Sequence, residues 1–472
     1  MGIVSILSTR LGGRMRTQIS YRQERRGVAL IIAMIFLVVF SSLAVSIVSM
    51  SGTNIQISNN QHNANVAFTA TESGLEVFRY WLSDLSVPQS LASAERLTTI
   101  ASDLQSRLTD AGASNISTSY DGSEITISSV SLNSESNQSF TATIEQISAD
   151  TLQLAVVGTS GQISRTINTD FNFVSRANPV FSFGVATQGP LQMAGNTELE
   201  VDVEASVYIG GGGAEYALTM EGKSGISGNV SISDAYTAVS LSSNAEVGGL
   251  SGDEAIENNI SIGVDEIAFP EPDVSLFEEY VQNVVDANTD TSTDITLDNI
   301  RIVAGTNPTF TGNVTLRGIV FIEQPNVVTF GGHASVTGII IGDGDVEVDS
   351  DLNQIVFSGS VNAYGVAELP DEEQFDGIKE QTGSFLLAPG FSVSFSGNTN
   401  IDNGAIAANG ISFSGNAGGV VNGTIMNYSQ EPVSLSGNSN LVLNPSGTIT
   451  NPAGFTPIKV LTFVPASYSE IH

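Results

Sequence analysis

RRG at residues 25–27 runs directly into VALIIAMIFLVVFSSLAVSIV at residues 28–48, a stretch of 21 residues without a charge. At 1.5 Å per residue such a helix is roughly 30 Å long, about the thickness of a bilayer's hydrocarbon core. Upstream stand Arg10, Arg14, Arg16, Arg22, Arg25 and Arg26 against the single acid Glu24. An excess of arginine on one flank holds that flank on the cytoplasmic side. The stretch therefore predicts a single-pass inner-membrane protein, with its basic amino terminus cytoplasmic and everything after Val48 exported.

The chain has 472 residues and a formal net charge of −33. So acidic a body is repelled by nucleic acid and by anionic membrane surfaces, and no nucleic-acid partner is expected. A hydrophobic fraction of 41% with only 14% charged residues excludes wholesale disorder. The chain contains no cysteine, which excludes a disulfide framework, a thiolate metal site and a cysteine nucleophile.

Working outward from the span, residues 28–63 form the membrane helix and its polar continuation. From Ala64 the spacing of Phe68, Leu75, Phe78, Leu82 and Leu85 predicts one face of a helix ending before Pro88. Leu97, Ile100, Leu104 and Leu108 predict a second amphipathic helix over 92–109. The period then changes to two. Residues 116–120 and 124–132 around Asp121-Gly122 read as a hairpin, and 139–147, 151–158 and 162–174 add three strands. Residues 64–176 thus predict an α+β domain of two helices and an antiparallel meander.

From residue 177 to 472 short apolar triplets alternate with Gly, Asn and Ser. A motif recurs at Met193-AGN, Ile226-SGN, Phe310-TGN, Phe330-GGH, Phe357-SGS, Phe395-SGN, Phe413-SGN and Leu435-SGN. From Phe310 to Leu435 most of the intervals fall near one or two multiples of about 20 residues, the mark of a solenoid. The expected architecture is a long parallel β-helix of ten to twelve coils, about 50–60 Å at the ~4.8 Å strand spacing. Residues 251–298 break the pattern. They read as a helix-bearing insertion, with Leu276, Phe277, Tyr280 and Val284 on its face, lying against the column. The overall fold class expected is mixed α+β and all-β.

The junction RRG|VALIIAMIF, with IQISNNQHNANVAFTATESGLEVFRYWL behind it, resembles the PilX-type minor pilins of type IV pili. That resemblance implies that residues 1–27 are a prepilin leader cut by prepilin peptidase between Gly27 and Val28. It also implies that the helix then packs among other pilin subunits. Major pilins of this kind carry Phe first and Glu fifth in the mature chain; here those places hold Val28 and Ile32. The missing carboxylate points to a filament tip or priming position, because an unneutralised terminal charge is least costly where no neighbour sits above it. Glu72, the first acid after the junction, is a candidate subunit contact or an ordinary solvated residue. Such a protein is a structural component rather than an enzyme, with the solenoid available for adhesion to surface glycans or proteins at the pilus or cell surface. A type II secretion pseudopilin shares the same leader logic.

Two acidic runs bear on metal binding. Asp343, Asp345, Glu347, Asp349 and Asp351 alternate along one stretch. On a strand they would share a face, forming either a weak calcium site or a solvated edge that discourages aggregation. DANTDTSTD at 286–294 resembles the start of an EF-hand loop but has Thr291 and Leu297 where that loop needs Gly and Glu. No other cofactor is implied. Parallel β-helices also house polysaccharide-active enzymes, and Arg317 and His333 are the basic pair that could meet on neighbouring coils for such chemistry.

Overall fold

The structure is a computed structural model that describes residues 26–89, 91–113, 116–133, 137–201, 205–211, 213–270, 272–344, 352–444 and 451–471. The apolar span and the amphipathic segment form one uninterrupted helix, α1, Arg26–Ser83, of 58 residues, about 87 Å long at 1.5 Å per residue. Helix α2, Ser93–Asp110, buries the predicted stripe Leu97, Ile100, Leu104 and Leu108. These pack with Leu75, Phe78 and Leu82 of α1 onto one face of a seven-stranded sheet.

That sheet contains the expected meander β2 (Thr118–Tyr120), β3 (Glu124–Asn133), β4 (Gln138–Ser148), β5 (Thr151–Ser160) and β6 (Ile163–Arg176). It also contains two strands the sequence reading did not place there: β1, Ser86–Pro88, and the carboxy-terminal strand Ile458–Ile471, which lies between β1 and β6. The last strand is antiparallel to β6, beginning with Ile458 opposite Arg176. The end of the chain therefore belongs to the first sheet and not to the solenoid. Its length was the available signal: 14 residues, against two to ten for the solenoid strands.

Between Val185 and Leu443 short strands stack in parallel register, and the stack is not in sequence order. The first coil comprises Val185–Thr187, Leu191–Gly195 and Glu198–Val201. On one side each of these strands pairs with the next coil in sequence. On the other side each pairs with the last: Ile425–Asn427, Val433–Gly437 and Asn440–Leu443. The chain enters the column in its interior and winds towards one end as far as Ile260–Ile262, which pairs with Val230–Ile232. There α3, Gly252–Asn259, packs beside the terminal strands. Residues 263–270 and 272–282 cross back along the outside. Winding resumes at Asn283–Val285 and returns coil by coil to meet the first.

The crossing segment covers outward-facing Tyr208, Ala186, Met426, Ala407 and Leu387. Its anchor is Phe277, fully buried, while Leu276 is 50% and Val284 61% exposed, so the predicted helical face does not form. Residues 274–280 are a 3-10 helix. The Tyr208 hydroxyl accepts from the Ile267 N–H at 2.9 Å, and the Tyr428 hydroxyl donates to the Pro270 carbonyl.

The recurring motif builds the core. Phe310, Phe330, Phe357, Phe395 and Phe413 stack ring on ring at 5.2, 4.9, 4.8 and 4.8 Å. Leu435, Met193, Met220 and Leu241 continue the row in register. Ile226 is not in it; that residue pairs with Leu199 and Val247 on a different face, and Met220 holds the place. The 38-residue interval between Phe357 and Phe395 is one coil with an outward excursion, 365–383, bearing short helices. It is not two coils. The phenylalanine-lined face accordingly has nine strands. The neighbouring face, from Ile260–Ile262 at one end to Asn283–Val285 at the other, has eleven among the described residues, about 50 Å at the strand spacing, within the ten to twelve coils expected.

Candidate functional site

The exposed half of α1 is the first candidate. Val28 to Val48 lie against nothing else among the described residues: Val28 is 60% exposed, Ile32 47%, Leu37 69% and Val48 72%. The apolar window of this helix has a mean hydropathy of 2.9 and none of it is buried. Three of its hydroxyls are satisfied within the helix. Ser42 donates to the Val39 carbonyl at 2.9 Å, Ser46 to Ser42 at 2.8 Å and Thr53 to Ser49 at 3.0 Å. With the backbone also bonded internally, the cylinder offers an apolar medium few unpaired polar groups. Gly27 lies within the first turn and Val28 directly follows it; residues 1–25 of the leader lie outside the described residues.

The packed half begins near Ala67. Gly158 of β5 donates its N–H to the Thr71 hydroxyl at 3.0 Å, and that hydroxyl donates onward to the Ala67 carbonyl. A Cβ on Gly158 would meet both Ala67 O and Thr71 Oγ1 at 2.3 Å, so only glycine lets the helix approach the sheet this closely. Glu72, one residue on, points outward and is exposed. It makes no ion pair among the described residues, whereas Glu76 pairs with Arg79 at 3.0 Å.

Of the alternating acidic run only Asp343 is described. Burial, reinforced by the nearby Glu278 carboxylate, pushes its carboxyl upward. Asp345, Glu347, Asp349 and Asp351 lie outside the described residues. The second run is occupied with its own turns. Asp286 accepts from Asn288 N–H at 2.9 Å, Asp290 from Ser292 N–H at 3.0 Å and Asp294 from Asn313 N–H at 2.9 Å. Backbone donation holds the Asp286 and Asp294 carboxyls below their ordinary range, and for Asp290 the Ser292 hydroxyl is the larger cause. No three His, Asp or Glu side chains converge on a metal position among the described residues.

Arg317 and His333 do not meet. His333 sits opposite Asn313 and Arg317 opposite Thr337, four residues further along the same pair of strands. Arg317 instead grips Asp298 with two hydrogen bonds of 2.7 and 2.6 Å. Arg301 bridges Glu323 at 2.8 Å and Glu278 at 3.3 Å. These are structural pairs tying neighbouring coils and the crossing segment together.

One surface feature went unnoticed in the sequence. Where the chain turns from the phenylalanine-lined face to the next, Glu246, Gly225, Glu198 and Asn440 occupy successive places in register. Gly225, lacking a side chain, opens a cavity of about 260 Å³. Thr197 and Ser224, each 2% exposed, line it, and their hydroxyls have no hydrogen-bond partner. Aligning the turns coil against coil, rather than by the glycine motif, would have exposed the gap.

Comparison with known proteins bears on the first candidate. The family model described as PilX N-terminal matches residues 26–76. No curated protein matches the chain. Among solved structures, the competence-associated pilin ComZ from Thermus thermophilus aligns over 87% of this chain and 97% of its own, at 10% identity and a TM-score of 0.24. The PilX N-terminal match begins at the first residue of α1 and ends where the helix has docked on its sheet, so it covers the exposed rod and its attachment.

Proposed function

We propose that the protein is a structural minor pilin of a type IV pilus, made as a membrane-anchored precursor and processed by prepilin peptidase between Gly27 and Val28. The observation that carries this reading is the exposed apolar half of α1, its Ser42 and Ser46 hydroxyls bonded within the helix and its surface covered by no other described residue. Burying that cylinder is worth about 25 cal/mol per Å² of apolar surface, in lipid before processing and against like helices afterwards. Other pilin subunits are thus its partners.

Ile32, at the fifth place after the junction, offers no carboxylate to a terminal ammonium, and the first acid is Glu72. A buried charge without a partner costs several kcal/mol. This favours a place at the filament tip or in priming, with no subunit above. Glu72, exposed and unpaired, is then available to a basic group on a neighbour. The solenoid serves adhesion.

Mass measurement of the protein purified from sheared pili is the test. A chain beginning at Val28 is expected; a leader still in place, or absence from the pili, rejects the reading. Labelled chains at filament ends rather than along the shaft would support the tip position.

A further inference from the structure

We propose that the notch at Gly225 receives one uncharged sugar residue of a surface glycan; this rests on the adhesive reading of the solenoid and supplies its ligand class. The notch arises because Gly225 stands in register between Glu198 and Glu246. Those two carboxylates are therefore two strand spacings apart, roughly 9–10 Å. The opening is about 260 Å³, the scale of a single ring.

Its chemistry is mixed in the way a polyol requires. Thr197 and Ser224 line the notch with hydroxyls that are buried and unpartnered. Rotation of either side chain towards the opening would present its hydroxyl to a sugar hydroxyl, and leaving such groups unmet is costly. At the rim, the Lys223 ammonium supplies donors, while Glu198 and Glu246 supply acceptors; none of the three side chains has an ion-pair partner among the described residues. Two carboxylates against one ammonium leave the notch net negative, and the whole chain carries −33. Uronate and sulfated glycans are disfavoured on that ground.

Gly225 also provides a clean test. Its φ is not in the left-handed region, and a Cβ there would meet only Glu198 Cγ at 4.0 Å. Gly225→Val should fold normally and fill the notch. The detergent-solubilised full chain is applied to immobilised neutral hexose and N-acetylhexosamine oligosaccharides, with polygalacturonate and dextran sulfate alongside.

Binding to a neutral oligosaccharide is expected, reduced at least tenfold by Gly225→Val with an unchanged melting temperature, and weakened by Glu198→Gln. Unimpaired binding by Gly225→Val, binding only to the anionic polymers, or binding to no glycan would each overturn the proposal. Attachment assays separate this from the parent reading. Cells whose attachment is lost on removing the solenoid but kept with Gly225→Val retain an adhesin whose ligand sits elsewhere. Attachment that survives both changes removes adhesion itself.

Discussion

The Asn427 amide donates to the Thr187 hydroxyl at 3.0 Å, both side chains fully buried, across 240 residues of chain. This bond lies on the seam where the last coil of the solenoid meets the first. Asn427 also accepts from the Gly410 N–H at 2.8 Å, and its amide nitrogen faces the carbonyls of Ser429 and Glu431.

Asn427→Ala leaves those groups unmet in a site closed to solvent. A loss of about 2–3 kcal/mol is expected, read as a lowered denaturation midpoint. A change below about 0.5 kcal/mol would mean that the seam is held by strand pairing alone.

Gly158→Ala tests how the rod is fixed to its sheet. The added methyl collides with Ala67 O and Thr71 Oγ1, and overpacking of this kind costs about 1–3 kcal/mol. Thr71→Val removes the acceptor for the buried Gly158 N–H, at a similar cost of about 1–3 kcal/mol. Both variants should accelerate amide exchange in β5 while leaving solenoid amides unchanged; equal protection in β5 would contradict the proposed fixation.

Deleting residues 458–471 bares the edge of β6 along its length and uncovers the Phe171–Phe463 contact, now 5.7 Å between ring centres. The expected result is early, separate unfolding of the first sheet in a thermal scan, ahead of the solenoid. A single transition at the native temperature would show that the last strand is dispensable.

Acid should weaken the column. The Arg301 hydrogen bond holds the Glu323 carboxyl below its usual range, and Asn313 does the same for Asp294. A carboxyl depressed in the fold binds protons less readily there than in the unfolded chain. Its contribution is thus complete above the ordinary carboxylate range, about pH 4–5, and is lost as pH falls through the depressed value. Asp343, pushed upward by burial, acts in the opposite sense. With 49 acids in the chain, relief of repulsion also opposes the loss, so the scan belongs at about 0.15 M salt, where such repulsion is screened. The midpoint should hold from about pH 8 to 5 and drop below about pH 4, less steeply in Glu323→Gln. A midpoint that rises on acidification would refute the assignment.

Local periodicity made most of the elements legible. The stripe Leu97, Ile100, Leu104 and Leu108 and the alternation in β3 to β6 are properties of neighbours in sequence, and all appear as expected. The phenylalanine motif likewise forecasts a stacked core. Stacking order was not legible, because nothing local tells Leu435 that its neighbour is Met193. The same blindness hid the destination of the last strand and mistook one long coil for two. At the candidate sites, the exposed rod could be read from hydropathy alone. The Gly225 notch could not, since it exists only where three coils stand in register.

Arg176 and Ile458, the points where the chain leaves the first sheet and comes back to it, are partners in that sheet. The whole column therefore hangs from a doubled lead, like a pendant on both ends of one cord. A tug on the column reaches β6 and the final strand together, and both are clasped along their flanks by neighbouring strands. Pulling cannot peel the coils off one at a time from a loose end, because neither end is loose: the load goes straight through to the rod.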